Sequence, residues 1–88
     1  RLLYPALGLA GEAGEVANKV KKLARDGIEK LPPDWKEQIA AEIGDVLWYC
    51  SALATDLGIP LNTIVKENIE KLQSRLERGQ LSGSGDKR

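Results

Sequence analysis

The sequence contains no histidine, no methionine and no phenylalanine, and it has one cysteine, two tryptophans and two tyrosines. Without histidine there is no imidazole to act as general base, to ligate zinc or to complete a Ser-His-Asp arrangement. With Cys50 alone an intramolecular disulfide is impossible, and a reducing, cytoplasmic setting is the natural expectation. No apolar run approaches the length of a membrane span, and no charged-then-apolar leader opens the chain. Neither sign of charge is in excess: thirteen Lys and Arg residues balance thirteen Asp and Glu residues. That balance argues against nucleic-acid coating and against a polybasic membrane surface. A chain without methionine that opens on Arg1 is expected to continue upstream, with a further helix in the preceding segment.

The 88 residues suffice for one small domain. A hydrophobic fraction of 42% makes it globular rather than disordered. Apolar residues at Leu2, Ala6, Leu9, Ala13, Val16, Val20 and Leu23 follow a helical period, with the regular part beginning near Pro5 and Gly27 closing it. Gly27 to Pro33 reads as a loop. A second helix is expected from Pro33 or Asp34 to Leu57, with Trp35, Ile39, Ile43, Val46, Cys50, Leu53 and Leu57 on its apolar stripe and Gly58 ending it. A third is expected from Pro60 or Leu61 to Glu77, with Leu61, Val65, Ile69, Leu72 and Leu76 inside and Gly79 as its stop. No strand pattern is present. The expected fold is therefore all-α, an antiparallel helical bundle of about three long helices over residues 1–79, followed by a flexible Gly/Ser-rich tail over 80–88. Leu3, Leu7, Leu47 and Trp48 fall on outer faces, so the core is expected to be completed by homo-oligomerisation.

Four acids stand out. Glu12 and Glu15 form one i,i+3 pair, and Glu42 and Asp45 another. Residues three apart share a helix face. At about 100° per residue, both pairs flank the apolar stripes of their helices, and Tyr49 falls on the flank of the second pair. Two such flanks packed together would bring four carboxylates to one point. Carboxylates so gathered repel one another unless a hard cation holds them, and an all-oxygen set suits magnesium, or manganese in its place. The alternative for any one of these acids is ordinary solvated helix surface. Gly11, Gly14 and Gly44 lie among them. Each costs a helix interior about 1 kcal/mol against alanine, which fits close helix approach or access for a ligand.

On the third helix Asn68, Lys71 and Arg75 recur at i, i+3 and i+7. Cationic and amide side chains in such a row can grip phosphate oxygens, or form a solvated face with Glu67 and Glu70. Lys19, Lys21, Lys22 and Arg25 cluster at the end of the first helix, where they complement its dipole or reach a phosphate in a neighbouring subunit. Tyr49 can hold a phosphate or sugar through its hydroxyl, or close the core. Trp35 reads as a core or loop anchor, Trp48 as directed away from the acids toward a subunit interface, and Cys50 as inert packing.

The segments LGLAGEAGEVANKVKK, EIGDVLWYCSALATDLGIPL and NIEKLQSR, with ExxE at Glu12 to Glu15 and ExxD at Glu42 to Asp45, resemble the MazG-like nucleoside triphosphate pyrophosphohydrolases of the all-α NTP pyrophosphatase superfamily. The resemblance runs from about Leu7 to Gly79. It implies that Glu12, Glu15, Glu42 and Asp45 bind magnesium and that Glu12 or Glu15 orients the attacking water. It implies that Lys71 and Arg75 contact phosphates, with Asn68 and Tyr49 as further substrate contacts. It also implies hydrolysis of an NTP or dNTP to monophosphate and pyrophosphate, a house-cleaning role in the nucleotide pool, and a homodimer or homotetramer. The family's earlier helical segment, which helps enclose the base, is largely absent from this sequence, and that bears on base specificity. The alternatives are a related enzyme, a phosphoribosyl-ATP pyrophosphohydrolase, and a protein of a different class, a catalytically silent helical dimerisation module.

Overall fold

The computed structural model describes residues 1–79. The tail over 80–88 lies outside the described residues. α1 spans Leu3–Asp26, α2 spans Trp35–Leu57 and α3 spans Leu61–Glu77, with one short 3-10 turn, Ile28–Lys30, between the first two. Among the described residues there is no strand, so the chain is all-α as expected. None of these helices is long and apolar enough to cross a membrane.

Local chemistry explains the boundaries. Pro5 sits in the first turn of α1, where a backbone N–H would have no helical partner. Gly27 ends that helix with φ of 83°, and its N–H returns to the Leu23 carbonyl at 3.0 Å. The 3-10 turn, expected as plain loop, is closed by Leu31 N–H donating to the Ile28 carbonyl at 3.1 Å. α2 starts at Trp35 because Pro32 to Asp34 form a turn, with Trp35 N–H on the Pro32 carbonyl at 3.1 Å. Gly58 is left-handed at φ 74°, and the N–H groups of Gly58 and Ile59 close on the carbonyls of Thr55 and Ala54 in a Schellman pattern. Pro60 is extended and launches α3, and Gly79, at φ 71°, stops it.

The pairings across α1 and α2 run in opposite directions along the chain: Lys19 meets Glu42, and further along Gly8 meets Tyr49. The two helices are therefore antiparallel. Half-buried Leu9, Val16 and Leu23 on α1, and Ile39, Val46 and Leu53 on α2, each recur at seven-residue steps and mark the seam. α3 touches α2 and makes no contact with α1. The radius of gyration is 16.5 Å, against about 12 Å for a compact chain of this length. Among the described residues only Pro5, Ala54 and Arg75 are buried. Val20, Ile43 and Leu57, expected on inner stripes, are exposed, as are Val65, Ile69, Leu72 and Leu76 on α3. One seam between two helices can cover only a narrow strip of each, and among the described residues no second helix packs on α3.

Candidate metal centre

Glu12 on α1 and Glu42 and Asp45 on α2 each direct one carboxylate oxygen to a common point, and these oxygens all lie within 4.8 Å of one another. α2 supplies two of the three because a three-residue step keeps Glu42 and Asp45 on one face. Antiparallel packing supplies the third. Lys19, two turns after Glu12 on α1, sets its Nζ 3.7 Å from Glu42 Oε2, with the two side chains 27% and 20% exposed. Glu12 is held above its ordinary pKa of 4.5. Partial withdrawal from water is the first cause, then a hydrogen bond with Glu42, then the negative charges of Asp45, Glu42 and Glu15. The part of this shift that comes from its negative neighbours is what an added cation would relieve.

Glu15 stands outside this group of three and is exposed. Its charge reaches Glu12 only as the weakest of the influences named above. Facing α2 is a narrow condition: Glu12 meets it, and Glu15, some 60° further round the helix, does not.

Tyr49 follows Asp45 by one turn and forms a wall beside the acids. Its ring meets Trp48 edge-on with centroids 5.1 Å apart, and Tyr4 of α1 at 6.3 Å. Glu12, Asp45, Trp48 and Tyr49 line an open recess of about 350 Å³. The Tyr49 phenol is raised above its usual pKa, first by the neighbouring Tyr4 hydroxyl, then by withdrawal from water, then by the charges of Glu12 and Asp45. Trp48 corrects the sequence expectation. It is 62% exposed, yet it lies at the mouth of this recess rather than away from the acids, because it is the i,i+3 neighbour of Asp45.

The other expected substrate contacts lie apart. Asn68 and Lys71 line a wider groove of about 570 Å³ between α2 and α3, together with Leu47 and Cys50. Arg75 is buried at 2% exposure on α3. None of these three lines the recess of Glu12 and Asp45. Trp35 anchors the α1–α2 connection: it is half-buried, borders a small cavity of about 90 Å³ with Lys19, Lys22 and Leu31, and carries the Lys36 ammonium 5.7 Å above its ring. Arg25 is engaged by Asp26 through two hydrogen bonds of 2.7 Å.

Two features escaped the sequence reading. Lys19, grouped with the helix-end cations for the dipole or for a phosphate in a neighbouring subunit, instead pairs with Glu42, and its i+7 relation to Glu12 puts it on the same face. The glycine in close contact between α1 and α2 is Gly8, not those among the acids: a Cβ at Gly11, Gly14 or Gly44 would meet nothing within 4 Å, while one at Gly8 would fall on the Tyr49 ring.

Among the described residues the protein is all-α, with a cluster of three carboxylates between two helices that could hold a metal ion. The chain matches the MazG nucleotide pyrophosphohydrolase domain over residues 4–79 and belongs to that family. It is 48% identical over 87 residues to the Gene 37 protein of Mycobacterium phage L5, a match that covers 99% of this chain and 76% of the phage protein. No solved structure matches the chain.

Proposed function

We propose that this protein is a magnesium-dependent nucleotide pyrophosphohydrolase that converts a nucleoside or deoxynucleoside triphosphate to its monophosphate and pyrophosphate. The observation that carries the reading is the convergence of Glu12, Glu42 and Asp45 in a chain of the MazG family. The donor set is all oxygen, comes from two helices and opens onto a recess, which fits Mg2+ and would accept Mn2+. Bound there, the cation would offset the triphosphate's charge and acidify a water molecule.

The chain's own groups divide the remaining work. With no histidine, a carboxylate is the base. Glu12, in the cluster beside the recess, takes the proton of the attacking water, with Glu15 as the other candidate. The water oxygen bonds to the α-phosphorus in line, and the bond from that phosphorus to the bridging oxygen breaks to release pyrophosphate. Tyr49 presents its hydroxyl beside Glu12 and Asp45, where a sugar or α-phosphate would lie. Lys71 and Arg75, with Asn68, take the leaving phosphates once the assembly is complete. The exposed apolar faces of α1 and α3 support a homodimer or homotetramer. The physiological reading that follows is removal of unwanted nucleotides from the cytoplasmic pool, with no nucleic-acid or membrane partner.

The test is pyrophosphate release from a panel of NTPs and dNTPs by the full chain, with and without magnesium. Magnesium-dependent release from at least one triphosphate is expected. No release from any of them overturns the reading, and turnover of phosphoribosyl-ATP alone reassigns the substrate.

A further inference from the structure

We propose that Gly8 is a positioning residue: it seats the Tyr49 ring on α1 and thereby sets the shape of the recess beside the carboxylates. The catalytic consequence rests on the pyrophosphohydrolase reading, and the geometric part does not.

A Cβ built on Gly8 would lie 2.5 Å from Tyr49 Cζ and 2.6 Å from its Cδ1. Real Cβ atoms do not approach a neighbour so closely, so any side chain here must displace the ring. An aromatic ring moves as one rigid plate about two side-chain bonds, and this plate is flanked by others. Trp48 meets it edge-on at 5.1 Å and Tyr4 at 6.3 Å. The obstacle is ring atoms rather than the free end of a flexible chain, so the ring itself must shift. Gly11, Gly14 and Gly44 pose no such restriction, since the space beyond each is open. Glycine is unfavourable in a helix interior. At Gly8 the Tyr49 seat supplies a reason for it.

The position of this contact gives it its consequence. Gly8 lies one turn before Glu12 on the same face of α1, and Tyr49 lies one turn after Asp45 on α2. The seat is thus one level above the carboxylates on both helices. Tyr49 shares the recess with Glu12, Asp45 and Trp48. A ring displaced from α1 either swings over the acids and narrows the recess or turns out and leaves one wall missing. Either way the phenol is lost from the place where the substrate's sugar and α-phosphate approach Glu12 and Asp45. The carboxylates themselves need not move.

The experiment compares Gly8→Ala, Tyr49→Ala and the double variant in the full chain. Gly8→Ala should lower Tm in the wild-type background and should not lower it in the Tyr49→Ala background, where the obstacle is gone. An equal fall in both backgrounds, or a double variant that fails to fold, overturns the seat. If Gly8→Ala alone does not fold, a folded double variant supports it. In steady-state assays Gly8→Ala should raise KM for the best triphosphate about tenfold with kcat little changed, since a misplacement near 1 Å can cost up to 10²-fold. Mn2+ affinity measured without nucleotide should stay within about twofold of wild type, because one turn of helix separates the seat from the cluster. An unchanged KM, or a fall in Mn2+ affinity that accounts for the change, overturns the positioning role. A wild-type chain that turns over no triphosphate sinks the pyrophosphohydrolase reading, and the Tm comparison still decides the seat.

Discussion

α1 and α2 grip each other from Trp35, which borders Lys19 and Lys22 at one end, to Gly8 and Tyr49 at the other. Among the described residues α3 touches α2 but not α1, and its Val65, Ile69, Leu72 and Leu76 are exposed. Both regions carry polar side chains at helical spacing. In the hairpin, packing turns that spacing into a site: Glu12 and Glu42 are half-buried, Asp45 completes the group, and Glu12 is shifted by its surroundings. On α3, Asn68 and Lys71 border an open groove and lie outside the recess. Spacing along one helix sets which residues share a face. A second helix decides whether that face becomes a place with its own electrostatics.

The comparison breaks most visibly at the carboxylates. Glu42→Gln should abolish magnesium-dependent pyrophosphate release. Loss of a ligand's outer partner typically costs 10–100-fold, and loss of a ligand should exceed that. Retained turnover in this variant would remove Glu42 from the site.

The α3 side is sharpened by Ile69→Glu. Ile69 is 57% exposed in the single chain, so this change should alter monomer stability by no more than about 0.5 kcal/mol. Against a second copy it would bury a charge at a cost of several kcal/mol. Light scattering on the wild type should show a dimer or tetramer, and on the variant a smaller species. Equal masses would place the interface elsewhere or show that there is none.

Smaller effects separate the groups within the hairpin. Lys19 competes with any cation for Glu42. Lys19→Met should therefore tighten Mn2+ binding by up to about fivefold, equivalent to the roughly 1 kcal/mol at the top of the range for a partly exposed pair. Weaker binding in calorimetry would instead make Lys19 a support of the site.

The pH dependence carries a definite sign. Because the fold raises the pKa of Glu12, the folded state holds that proton more tightly than the unfolded chain does. Its contribution to stability is complete below the ordinary glutamate value of 4.5 and is lost as pH rises through the raised pKa. Glu12→Gln should flatten that segment of the Tm–pH curve, and Mn2+ should offset the loss in the wild type. A curve that the substitution leaves unchanged would show that Glu12 titrates normally.

Much of the fold was legible because its punctuation is strong. Gly27, Gly58 and Gly79 with Pro60 mark helix ends that need positive φ or a fixed entry, and the structure uses each one there. The start of α2 slipped by a residue or two because Pro32 to Asp34 form a turn before the helix. At the site, Glu42, Asp45 and Tyr49 could be grouped from their spacing alone. Trp48, three residues after Asp45, was within reach of spacing, whereas the exposure of Glu15 depends on how α1 and α2 meet, which spacing does not encode. Gly8 was illegible for the same reason: its role depends on a ring forty-one positions away. The stripe on α3 was readable as a stripe, but no pattern within one chain names what covers it.

The central claim is that α1 and α2 together form one metal centre, and Mn2+ titration of the full chain without nucleotide tests it most directly. The comparison is between wild type, Glu12→Gln, which removes the ligand of α1, and Asp45→Asn, which removes one from α2. Saturable binding in the wild type, weakened by each substitution alone, is the predicted result. Absence of a saturable site, or wild-type affinity in either variant, would contradict it.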